Sequence, residues 1–68
     1  MLNVDAIGRS CPEPVLLTKQ GLKDSPEGVS VTVDNNVAVG NITRFAENLG
    51  YKVEKKEENG IYTLVITH

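Results

Sequence analysis

The residues able to do chemistry gather in one stretch, Asp5-Ala6-Ile7-Gly8-Arg9-Ser10-Cys11-Pro12-Glu13-Pro14. Cys11 stands where a helix N-cap is expected. A sulfur there lies near free backbone N–H groups and the positive end of the helix dipole, which favours thiolate over thiol. Pro12 and Pro14 donate no N–H, so the first-turn donors are those of Glu13 and of Val15 onward. The same prolines stiffen the turn and hold the sulfur in one direction. Arg9, two residues earlier, adds positive charge, and Glu13 opposes it. A thiolate so placed attacks a sulfane sulfur, or carries one as a persulfide. The competing reading is a small buried residue, because a lone cysteine at a helix start is often inert. Framing by prolines on either side of Glu13 favours function, since a buried cysteine needs no such frame.

Positioning this thiol requires a strand before it and a helix after it. Leu2, Val4 and Ala6 alternate with Asn3 and Asp5 as a first strand, and residues 7–10 form a loop in which Gly8 supplies turn freedom. A helix is expected from near Cys11, with Pro12 at its first position, where a missing N–H costs nothing. Glu13 falls in the first turn, near the positive end of the dipole. Val15, Thr18, Gly21 and Leu22 predict its inner face, with Gly21 allowing close approach to the sheet, and Ser25-Pro26-Glu27-Gly28 ends it. Val29, Val31 and Val33 read as a second strand. Asp34-Asn35-Asn36 offers N-caps for a second helix burying Ala38, Ile42, Phe45, Ala46 and Leu49, with Gly50 just past its end. Tyr51, Val53 and Lys55 mark a third strand. Asn59-Gly60 predicts a type I′ hairpin leading to Tyr62, Leu64 and Ile66 on one face of a fourth.

The expected order is βαβαββ, an α+β two-layer sandwich with both helices on one face of a mixed four-stranded sheet. Ile61 and Val65 then point to the other face, open to solvent, a second copy or another domain.

Composition narrows the functions. Sixty-eight residues make one domain, residues 1–68, too small to enclose a pocket of drug-sized volume. A single cysteine excludes an internal disulfide and dithiol redox chemistry within one chain. One Cys and one His exclude a zinc site of soft ligands, so no metal is expected. His68, the only histidine, stands at the terminus, which makes Cys–His hydrolysis a poor fit. A net charge of −2 and a pI near 5.2 argue against a nucleic-acid partner, and 4% aromatic residues argue against base stacking. There is neither a long apolar run nor a basic leader before one, so a cytoplasmic location without membrane contact is expected.

Cys-Pro-Glu-Pro after Asp-Ala-Ile-Gly-Arg-Ser resembles the signature of the TusA/SirA family of small sulfur carriers: Cys-Pro-x-Pro at the start of the first helix, after a strand ending in Asp-x-x-Gly. The likeness spans essentially the whole chain. Val33-Asp34-Asn35, Asn41-Ile42-Thr43-Arg44-Phe45-Ala46 and Gly50-Tyr51 look most like the N-terminal domain of YedF-type proteins, in which a DsrE-like domain follows. The resemblance implies the fold of the C-terminal domain of translation initiation factor 3. It also implies a sulfurtransferase-like role in which Cys11 receives sulfur as a persulfide from a cysteine desulfurase or another carrier and relays it to an acceptor protein. No cofactor is implied. Cys11, Pro12 and Pro14 match the family motif; Glu13 matches a variable position; Gly8 and Arg9 belong to the loop beside the thiol. Asp34 corresponds to an acidic loop after the second strand, a candidate for partner docking, where Asn35 and Asn36 replace further acid or proline.

Leu16 and Leu17 lie off the inner stripe near Cys11, as core-edge residues or as an apolar docking patch. Lys19, Lys23 and Arg44 read as solvated helix faces, or as a weak basic surface that steers an acidic partner. Lys52, Lys55 and Lys56 are offset by Glu54, Glu57 and Glu58, a charge-guarded edge. The alternative to a carrier is a non-catalytic interaction module that binds through the open sheet face near Ile61 and Val65, the N-terminal part of a two-domain YedF-like protein in selenium metabolism being one case. RNA binding rests on the initiation-factor-like fold alone.

Overall fold

The computed structural model describes residues 2–9 and 13–68. The elements are β1 (Leu2–Asp5), α1 (Glu13–Asp24), β2 (Gly28–Val33), α2 (Asn36–Asn48), β3 (Lys52–Glu58) and β4 (Ile61–Thr67). The sheet order is β1-β2-β4-β3. β1 and β2 run parallel, and β4 lies antiparallel between β2 and β3. This is the expected α+β sandwich, two helices on one face of a mixed sheet.

Strand alternation builds the core. Val29, Val31 and Val33 of β2 are fully buried, as are Leu64 and Ile66 of β4. They meet across the ladder as Val29↔Ile66, Val31↔Leu64 and Val33↔Tyr62. Thr18, Gly21 and Leu22 press down from α1, and Ala38, Val39, Ile42 and Ala46 from α2. Gly21 has the expected reason: a methyl group there would sit 2.8 Å from Val4 Cγ2 and 3.4 Å from Val29 Cγ1. Only glycine lets α1 lie this close to β1.

Two turns follow from local chemistry. Asn59 and Gly60 both have positive φ, 52° and 80°, as a type I′ hairpin turn requires. At the end of α2, Gly50 has φ 91°; its N–H reaches Glu47 O, and the Tyr51 N–H reaches Ala46 O. These bonds form a complete Schellman motif.

That motif corrects one expectation. Leu49 is not in the core; it is the helix cap and is 54% exposed. The turn at Gly50 swings the chain back, so Tyr51 packs against the core in its place, and β3 begins one residue later than Tyr51. Val39 joins the stripe of α2, while Phe45 is only partly buried against the core. On α1, Pro14 rather than Val15 heads the buried stripe, with Val15 packed at its margin. The expected start of α1 near Cys11, with Pro12 at its first position, lies outside the described residues.

The uncovered sheet face carries Ser30, Thr32, Thr63 and Val65, all half-buried. The register Ser30↔Val65↔Glu54 places Val65 there, opposite the core-facing Ile66. β3 is an edge strand of exposed Lys and Glu residues around a half-buried Val53.

Candidate functional site

The parallel strands β1 and β2 end on the same side of the sheet, and both helices start there. In open α/β sheets the carboxyl ends of parallel strands are where sites are built. Residues 6–9 leave β1 as a tight turn. The Arg9 N–H bonds Ala6 O at 3.3 Å, and Gly8 takes φ 77° at the third position, which an ordinary side chain resists. Ala6, fully buried, donates its N–H to Thr32 O at 2.8 Å and so extends the β1–β2 pairing. The Ile7 N–H bonds Asp5 Oδ1 at 3.0 Å, an Asx-turn. The Gly8 N–H bonds Asp34 Oδ2 at 3.2 Å, across 26 residues of sequence.

The chain leaves this turn at Arg9 and is described again at Glu13. The two side chains meet there, Arg9 Nη1 to Glu13 Oε2, at 3.1 Å. With about half of each side chain exposed (53% and 48%), the pair contributes little to stability. It resolves the opposition of charges seen in the sequence: in this arrangement the Arg9 guanidinium is engaged by Glu13. Cys11 and Pro12, with Ser10, lie outside the described residues. Pro14 is buried, and its carbonyl accepts a bond from Thr18 Oγ1 at 2.9 Å. That bond anchors the first turn of α1 in the core.

Gly8, Arg9, Glu13 and Asp34 thus come together at one end of the sheet. Leu16, on the first turn of α1, is 56% exposed, while Leu17 packs at the core edge. Sequence reasoning missed three residues at this end. Asp5 was read as an alternating strand residue and as part of the Asp-x-x-Gly signature but was given no task, although an Asp just before a turn is an Asx-turn signal. Ile7 and Val37 are exposed apolar residues beside the turn and in the first turn of α2. Singly they carry no sequence signal.

The far end is built differently. His68 follows Thr67, which pairs with Gly28 at the start of β2. Six residues of strand, about 20 Å, separate that level from Asp34. The His68 ring stacks on Tyr51 with centroids 4.1 Å apart, so the terminus is anchored. Tyr51 also donates its hydroxyl to Pro26 O at 2.9 Å. Glu27, exposed at this end, has its carboxyl held below the ordinary 4.5, first by the Ser25 hydroxyl at 2.7 Å and then by its own backbone N–H.

Two shallow concavities, of about 420 and 480 Å³, lie between α2 and β3 and along the β3–β4 hairpin; neither is lined by residues of the β1–α1 turn. Among the described residues no group of three His, Cys, Asp or Glu could hold a metal ion, and no helix is long and apolar enough to cross a membrane. What this end offers is an exposed, hydrogen-bonded turn that runs in sequence toward Cys11.

Comparison with known proteins identifies the pattern. The family described as Sulfurtransferase TusA matches residues 3–68. A candidate sulfur carrier protein of Methanocaldococcus jannaschii is 47% identical over 60 residues, covering 85% of this chain and 80% of that protein. A candidate sulfur carrier of Neisseria meningitidis is 31% identical over 68 residues, covering 96% and 92%. The crystal structure of a SirA-like protein from Desulfitobacterium hafniense superposes with a TM-score of 0.88 at 35% identity, covering 98% of this chain and 96% of that one. The chain belongs to the TusA/SirA family.

Proposed function

We propose that the protein carries sulfur as a persulfide on Cys11 and relays it between a donor, such as a cysteine desulfurase or another carrier, and an acceptor protein in the cytoplasm. The Cys11 thiolate attacks the terminal sulfur of the donor persulfide. The donor's own sulfur leaves as a thiolate, and the terminal sulfur becomes the outer atom of Cys11–S–S⁻. Handover repeats the exchange in the other direction, with the acceptor thiolate attacking and Cys11 leaving. No net oxidation or reduction occurs, and the chain itself supplies no cofactor. The unit is residues 1–68, whether it stands alone or is joined to a DsrE-like domain.

The observation that supports this reading is the position of the single cysteine in the sequence, between a hydrogen-bonded turn and a helix. Cys11 follows a turn whose described backbone N–H groups, from Ala6 to Arg9, all have acceptors, and precedes a helix seated by a buried proline. A nucleophile that follows an exposed, hydrogen-bonded turn suits transfer between proteins. Pro12 and Pro14 set its direction. The α1 N-terminus favours the anion, with Arg9 available to it when released from Glu13.

Radiolabelled cysteine and a desulfurase test the reading. Label is expected on the parent chain, absent from Cys11→Ala, and released by excess small thiol. Equal labelling of Cys11→Ala would refute it.

A further inference from the structure

The turn that leads to Cys11 is held from two sides. Asp5 Oδ1 and Ala6 O close it locally, through Ile7 and Arg9. From β2 and the junction beyond it come Thr32 O, on Ala6, and the carboxylate of Asp34, on Gly8. Asp34 is the one side chain in this set that reaches in from the β2–α2 junction. Its second oxygen accepts from Asn35 Nδ2 at 3.3 Å, and Asn35 Oδ1 accepts the Ala38 N–H at 2.7 Å, capping α2. A continuous run of hydrogen bonds therefore links the start of α2, through Asn35 and Asp34, to the Gly8 amide three residues before Cys11. The Gly8 anchor matters because its φ of 77° gives this turn its shape, and nothing lies within 4 Å of where a Gly8 Cβ would stand. The turn is not wedged in place by packing there, so hydrogen bonds must hold it.

We infer that Asp34 is a positioning residue for Cys11. Its carboxylate ties the turn that precedes Cys11 in sequence to the start of α2, so sulfur loading on Cys11 depends on the β2–α2 junction as well as on α1. The inference rests on the carrier reading and gives Asp34 an intramolecular task beside the docking role expected for its charge.

Two variants separate these tasks. Asp34→Asn keeps an oxygen for the Gly8 N–H, loses the charge and loses the longer contact to Asn35. Asp34→Ala loses the acceptor as well. Initial rates of sulfur uptake from a cysteine desulfurase are measured for parent and variants, alongside amide exchange of Gly8 by NMR. In Asp34→Ala the Gly8 amide is expected to exchange about tenfold faster and uptake to slow about tenfold, as small misplacements of a reacting group do. Asp34→Asn is expected to recover most of both. Uptake by Asp34→Ala at the parental rate overturns the inference. So does Asp34→Asn loading as slowly as Asp34→Ala while Gly8 stays protected, since the carboxylate would then act on the partner through its charge. A parent that takes up no sulfur overturns the carrier reading and this inference with it, and is distinguished from the other outcomes by the parent's own trace.

Discussion

The two strand-to-helix junctions of this protein lie side by side and are built to opposite ends. After β2 the chain needs only Asp34 and Asn35 before α2 begins. Asn35, extended at φ −151° and ψ 153°, caps the helix through its side chain. This junction is short, self-contained and made for stability. After β1 the chain makes a tight turn with a left-handed glycine, continues in sequence through Ser10-Cys11-Pro12, and enters α1 with Glu13 in its first turn. In the sequence no Asn or Asp stands between that turn and Glu13, where Ser10, Cys11 and Pro12 are found. The first junction spends its side-chain acceptor on the helix. The second holds its turn through Asp5, Thr32 and Asp34 and leads in sequence to the chain's single cysteine.

The largest effect on stability is expected where α1 is seated. Gly21→Ala places a methyl against Val4 and should destabilise by about 1–3 kcal/mol through overpacking, partly offset by about 1 kcal/mol of helix propensity. Urea unfolding measures it. A neutral or stabilising result would mean that α1 lifts off β1 freely, and that its start is less fixed than the comparison requires.

Asn35→Ala should cost about 1 kcal/mol, the usual worth of an N-cap. Sulfur uptake by this variant should fall far less than in Asp34→Ala, because Asn35 reaches the turn only through Asp34. An uptake defect equal to that of Asp34→Ala would merge the two junctions into one functional unit.

Arg9→Ala should change stability by no more than about 0.5 kcal/mol, since the pair with Glu13 is exposed. A larger loss would show the pair to be a structural clamp.

At the far end, the Glu27 carboxyl should titrate below 4.5 in the parent and move up toward it in Ser25→Ala, followed by NMR. A folded-state pKa below the unfolded one stabilises above the unfolded value, and this contribution is lost as pH falls through the folded value. Ser25→Ala should therefore be a little less sensitive to acid around and below pH 4.5. An unmoved Glu27 would contradict the assigned cause.

Much of this was legible in the residues. The β-alternation of Val29, Val31 and Val33, the helical stripe of Ala38, Ile42 and Ala46, and the Asn59-Gly60 turn are local patterns, and local patterns survive folding. Gly21 was legible because its cost in a helix demands a reason. Leu49 misled, since apolar spacing continues past the point where Gly50 turns the chain, and only the Schellman geometry shows that Tyr51 replaces it. The Arg9–Glu13 pair sits at helical i, i+4 spacing, but Arg9 precedes the described helix, so spacing alone did not reveal the contact. The bond from Asp34 to Gly8 was beyond sequence reasoning, since the two residues, 26 positions apart, are brought together only by parallel pairing of β1 and β2.

The central claim is that Cys11 holds the sulfur. Intact-mass spectrometry of the parent and Cys11→Ser, after incubation with a cysteine desulfurase, cysteine and the enzyme's pyridoxal cofactor without reductant, tests it most directly. The account predicts a gain of one sulfur atom on the parent, removed by reductant and absent from Cys11→Ser. The same gain on Cys11→Ser, or no gain on the parent with any desulfurase or loaded carrier protein, would contradict it.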